Sequence, residues 1–198
     1  MDVMGLWQQT VSQVVTAFCM VFVTACSVNP VTGENELSLM SQSDELNVGN
    51  QQYTPTQQSQ GGQYYLDSEL TFYVASIGKK LAAVSDRPDL PYEFVILNNS
   101  VPNAWALPGG KIAINRGLLL ELQDEAELAA VLGHEIVHAA ARHTAARMTK
   151  NQLLGVGVAV LGIGLSTSGN DYQGLILGGA ALGSQLVQSK YGRDAELE

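Results

Sequence analysis

Cysteine is nearly missing from this sequence. Two occur in 198 residues, Cys19 and Cys26. The chain beyond them can hold no disulfide framework, no cysteine metal site and no cysteine nucleophile. A metal in the folded part must therefore use histidine and carboxylate. Positive charge is also scarce. Ten Lys and Arg stand against 19 Asp and Glu, giving a formal net charge of -9 and a pI of about 4.7. A phosphate-binding face needs clustered Lys and Arg, so nucleic acid is not an expected partner. The acidic balance serves solubility. No apolar run reaches the roughly 20 residues of a comfortable membrane span, and no internal repeat is visible. Apolar bulk is abundant, at 46% of residues. The length suits one domain plus an export segment.

The apolar run Val14 to Ala25 has the length of a signal-peptide core. It ends in Val23-Thr24-Ala25-Cys26, which resembles a lipobox. Cys26 is then the expected lipidation site and first mature residue. Ser27 is a neutral residue of the kind that sorts lipoproteins to an outer membrane. Met1 to Gln13 departs from the pattern, holding Asp2 and no Lys or Arg. The alternative is a short buried or anchoring helix.

Asn29-Pro30-Val31-Thr32-Gly33 reads as a turn. Ser43 to Tyr53 predicts a short helix capped by Ser43, and the Gln-rich, Ser-rich stretch Thr54 to Gln63 a mobile linker. Asp67 to Ser85 predicts a helix with Leu70, Tyr73, Val74, Ile77, Leu81 and Val84 on one face, stopped by Pro88 and Pro91. Tyr92 to Leu97 and Lys111 to Asn115 read as strands, with a turn-rich stretch, Asn98 to Gly110, between them. Asp124 and Glu127 have capping-box spacing. The alanine-dense helix that follows is expected to run to about Lys150. Leu153 to Leu165 and Leu175 to Val187 predict a packed helical hairpin, or one that touches a membrane. The second run should continue as helix through Lys190 to Glu198.

The chemistry is concentrated at His134-Glu135-Ile136-Val137-His138. Each helical step turns about 100°, so His134 and His138 stand about 40° apart and one turn from each other. Two imidazoles can reach one ion from that face. Glu135 flanks them about 60° from His138, where a carboxylate can act as base on a metal-activated water. On an unbroken helix His143 points about 180° from His134. It therefore reads as a surface residue or one behind the ligands. The third ligand should be a carboxylate, and Glu196 and Glu198 are the candidates. Two residues apart, only one of them can face the ion. Two histidines and a glutamate with an open position form a known catalytic arrangement.

Several segments carry a resemblance. They are Asn29 to Gly33, Asn103-Ala104-Trp105-Ala106-Leu107-Pro108-Gly109-Gly110-Lys111-Ile112, Gly117-Leu118-Leu119, His134 to His138 with Arg142-His143 behind it, and Tyr191 to Glu198. Together they resemble peptidase family M48, the gluzincins that include the CAAX prenyl endopeptidases and HtpX-like proteases. The periplasmic lipoprotein branch is the most similar. The resemblance implies an α+β fold, a mainly helical zincin-like domain with a small sheet beside the motif helix. It implies a signal segment over 1–26, an extension and linker over 27–65 and the peptidase domain over 66–198. It implies one zinc ion per chain, held by His134, His138 and Glu196, with Glu135 catalytic. An extended peptide substrate would pair with an edge strand in or just before Lys111 to Asn115, with Asn103 to Gly110 near the cleft. Asn103, Ala104, Lys111, Ile112 and Ala113 are then the substrate-binding candidates. Gly192 replaces a commoner serine. The family's Ala-Asp pair would follow Glu198, so the chain is expected to be a fragment.

Three functions compete. The first is a zinc endopeptidase for misfolded or unassembled envelope proteins, lipid-anchored on the periplasmic side of a bacterial envelope, at the outer membrane. The second is a non-catalytic, chaperone-like zinc lipoprotein. Structural zinc sites usually have four protein ligands, and only three good ones are visible. The third is a membrane-inserting structural lipoprotein, which leaves the histidine spacing unexplained.

Overall fold

The computed structural model of the chain describes residues 26–167. The elements run β1 (Cys26–Val28), β2 (Asn35–Leu37), α1 (Gln42–Ser59), α2 (Ser68–Ala82), β3 (Glu93–Leu97), β4 (Ala104–Leu107), β5 (Lys111–Asn115), α3 (Arg116–Leu119), α4 (Glu125–Ala140) and α5 (His143–Thr167). This is an α+β fold. The apolar run Val14 to Ala25, the run Leu175 to Val187 and the segment with Glu196 and Glu198 lie outside the described residues.

The main sheet has the order β3-β5-β4, with β3 parallel and β4 antiparallel to the central β5. β4 and β5 are joined through Pro108, Gly109 and Gly110, and both glycines have positive φ (77° and 79°), which glycine adopts without strain. The alternating side chains Ile112 and Ile114 meet Val74 and Ile77 of α2, and Leu128, Leu132 and Ile136 of α4, in one buried cluster. Burying such a side chain contributes roughly 1.5–3 kcal/mol, so this cluster anchors the motif helix. Lys111, on the opposite face, reaches toward α1, its ammonium 5.8 Å from the Tyr53 ring centroid.

Four sequence expectations change here. α1 continues through Thr54 to Ser59, where a mobile linker was expected, and carries Pro55 inside it. Gln51, whose carbonyl loses its partner at Pro55, is exposed. The cap of α1 is Ser41, in a reciprocal capping box with Asp44. The buried residues of α1 are Glu45, Gly49, Tyr53 and Gln57, a stripe too polar to show as hydrophobic periodicity. Second, the turn-rich stretch contains strand β4. Third, the motif helix ends at Ala140 rather than near Lys150. Fourth, β5 is an inner strand with no free edge. The helix over 68–82, the two strands and the turn at Pro30 to Thr32 stand close to their expected positions. Among the described residues no helix is long and apolar enough to cross a membrane.

Candidate metal centre

Helix α4 begins at its cap, Asp124, whose carboxylate accepts from the Glu127 N–H at 2.9 Å. Leu128, Leu132 and Ile136 recur every four residues and are buried. Fixing that face inward turns His134 and His138 toward a cleft on the other side. Their Nε2 atoms are 2.9 Å apart, with ring centroids at 4.4 Å and planes at 90°. Glu135 lies between them in sequence, is 8% exposed, and lines the same cleft.

The donor set fits zinc as far as it is described. Two Nε2 lone pairs aim into one small space, and neutral imidazoles are ordinary zinc ligands. Zn–N bonds of about 2.0–2.1 Å in tetrahedral geometry hold two nitrogens about 3.3 Å apart. A small opening of the pair would seat the ion. Among the described residues no three His, Cys, Asp or Glu converge to hold a metal. A third protein ligand must come from elsewhere, and Glu196 lies outside the described residues.

His143 stands in an unexpected place. Arg142 adopts φ 63° and is the one non-glycine residue with positive φ among those described. The chain turns there and α5 starts at once. The turn brings the His143 ring against His138, with Nδ1 to Nδ1 at 2.6 Å and centroids at 4.9 Å. His143 is 7% exposed, so the surface reading fails. With His138 offering Nε2 to a metal, its Nδ1–H would donate to His143. That bond fixes tautomer and ring orientation.

The cleft encloses about 640 Å³. Asn103, Ala104, Trp105 and Ala106 line it from the side of β4. Val131, His134, Glu135 and His138 line it from α4, and Thr144 and Arg147 from α5. Asn115 N–H donates to the Asn103 carbonyl at 2.8 Å. In an antiparallel ladder that bond sets Asn103, Trp105 and Leu107 pointing at β5, and leaves the backbone groups of Ala104 and Ala106 pointing outward. The Ala106 carbonyl accepts from Thr144 Oγ1 at 3.2 Å.

This geometry corrects part of the substrate-site expectation. Lys111, Ile112 and Ala113 are at most 3% exposed, in a strand flanked on both sides. Their backbone groups are committed to β3 and β4, so they cannot pair with a peptide. Asn103 and Ala104 do line the cleft. Sequence reasoning placed Asn103 to Gly110 near the cleft, Trp105 and Ala106 among them, and missed Thr144 and Arg147 as lining residues. One signal for β4 was present: the apolar tetrad Ala104 to Leu107, then Pro-Gly-Gly and a strand, is a hairpin pattern.

The chain is similar to known proteins. The family model described as Peptidase family M48 matches residues 69–198. The mitochondrial metalloendopeptidase OMA1 of Schizosaccharomyces pombe is 37% identical over 99 residues, covering 50% of this chain and 29% of that protein. The beta-barrel assembly-enhancing protease of Yersinia pestis is 34% identical over 137 residues, covering 67% of this chain and 28% of that protein. Its counterpart in Escherichia coli (strain K12) is 30% identical over 143 residues, covering 72% and 28%. The chain thus spans less than a third of the length of these three relatives.

Proposed function

We propose that this chain, which belongs to peptidase family M48, is the metal-binding part of a zinc metalloendopeptidase. The observation that carries the reading is the pair of Nε2 atoms 2.9 Å apart with Glu135 in the same cleft. In this reading His134, His138 and Glu196 hold one zinc ion. When bound, zinc supplies Lewis acidity at the scissile carbonyl and lowers the pKa of a water to about 7. Glu135 takes the proton of the attacking water and passes it to the leaving amine. The outward groups of Ala104 on β4 pair with an extended polypeptide, with Asn103 beside it. That pairing holds the scissile bond over the histidines.

The finer reading is a periplasmic lipoprotein acting on misfolded or unassembled envelope proteins. Its support is the Val23 to Cys26 pattern and the bacterial relatives named as beta-barrel assembly-enhancing proteases. The peptidase unit would cover 66–198, with 27–65 as its extension, 1–26 as export signal and lipid on Cys26.

Glu135→Gln tests the mechanism. Zinc content should be retained, and casein cleavage should fall by about 10²–10⁴-fold, the usual contribution of a general base. Undiminished cleavage would remove Glu135 from its role. A wild-type chain that binds zinc but never cuts would favour the chaperone-like alternative.

A further inference from the structure

Glu45 lies on α1, 97 residues upstream of Arg142, yet it is 1% exposed and faces the back of the metal site. Its Oε2 accepts from Arg87 Nη1 at 3.0 Å, and its Oε1 accepts from Arg142 Nε. Arg142 Nη2 also donates to the Met40 carbonyl. A buried carboxylate between two guanidiniums is charge-paired and geometrically fixed. Glu45, His138 and Arg142 line one narrow gap between α1 and the α4–α5 junction.

Arg142 holds a left-handed backbone conformation that an L-residue with a Cβ disfavours. Glycine would occupy that position freely. Arginine gives up that ease and supplies the side chain that Glu45 grips. The turn it makes is what brings His143 to His138. On a continuous helix, five steps would place the two about 140° apart, out of contact.

We infer that Glu45 is a positioning residue for the metal histidines: it holds Arg142 in its turn, and the turn sets His143 against His138. The inference rests on the proposed metal-binding reading for its consequence, though the geometry stands without metal. α1 precedes the stretch matched by the family model, residues 69–198. It therefore serves the site from outside that stretch.

The test contrasts Gly with Ala at one position, in the full chain. Glu45→Gln and Arg142→Ala should each weaken zinc binding about 10–100-fold, the usual effect of losing support behind a ligand. Arg142→Gly should stay within about threefold of wild type, because glycine holds the turn unaided. Adding Arg142→Gly to Glu45→Gln should restore affinity. Imidazole ¹⁵N NMR of the metal-free protein should show the His138–His143 hydrogen bond in wild type and Arg142→Gly, and its loss in Arg142→Ala. Equal behaviour of Gly and Ala at 142, in both readouts, would overturn the inference and leave Glu45 as a fold-stabilising ion pair. If the wild-type chain binds no zinc, the metal reading fails, and the metal-free spectra still decide the role of Glu45.

Discussion

Helices α1 and α4 both pack on the main sheet, and they are held there by opposite means. α4 buries Leu128, Leu132 and Ile136, an apolar stripe at four-residue spacing. α1 buries Glu45, Gly49, Tyr53 and Gln57 at the same spacing. Apolar burial is non-directional and survives small shifts. The contacts of α1 need particular atoms: a carboxylate between two arginines, a phenol on a strand carbonyl, and a glycine where a carbonyl comes close. The motif helix is thus fixed by bulk, and the helix behind it by fit.

The sharpest way to break that contrast is Gly49→Ala. Helix propensity alone predicts a gain of about 0.8–1 kcal/mol. A Cβ at Gly49 would lie 2.0 Å from the Pro108 carbonyl oxygen, and that oxygen belongs to the backbone of the β4–β5 turn. α1 must move, at a cost of roughly 1–3 kcal/mol. Net destabilisation is expected, read as a lower denaturant midpoint at unchanged slope. A stabilised variant would mean that α1 is not seated by fit.

Tyr53→Phe is a smaller probe of the same seating. The Tyr53 hydroxyl donates to the Ile112 carbonyl at 3.2 Å. Its loss should cost about 1 kcal/mol. Burial first, and the nearby Glu93 charge second, push the phenol well above its ordinary value of 10.0. The fold therefore favours the neutral form. That contribution is fully present below the unfolded pKa and is lost as pH rises toward the folded one. Wild-type stability should decline above pH 10 more steeply than that of Tyr53→Phe. Parallel alkaline curves would show that the phenol is not buried as described.

The same contrast explains what could be read in the sequence. α4 and its histidine pair were legible because period, cap and motif all lie within a few residues of each other. The helix Ser68–Ala82 and strand Lys111–Asn115 were legible for the same reason. The second half of α1 was not, because Gln, Ser and Pro mask a helix whose buried face is polar. The break at Arg142 was invisible. Ala141, Arg142 and His143 are all compatible with helix, and the residue that holds the turn is Glu45, far upstream. β4 is four residues long, too short for alternation to speak. Without it the peptide-binding edge was left in or just before Lys111 to Asn115, and Lys111, Ile112 and Ala113 of the inner strand were included among the candidates. The α+β fold followed from the family resemblance of several short segments, whereas the arrangement around His138 came from contacts that cross the whole domain.

Gly133→Ala completes the comparison with the smallest effect and the opposite sign. Gly133 sits in the interior of α4, immediately before His134, and among the described residues a Cβ there would meet nothing within 4 Å. The helix should gain about 0.4–1 kcal/mol, mostly through the lost freedom of the unfolded chain. Thermal unfolding should shift upward, and zinc affinity should stay as in wild type, because the apolar stripe on the other side of α4 sets where the histidines point. The same substitution would then stabilise one helix and destabilise the other, although propensity scales cannot tell the two glycines apart. A destabilised Gly133→Ala would place a close neighbour over that glycine, one residue before His134.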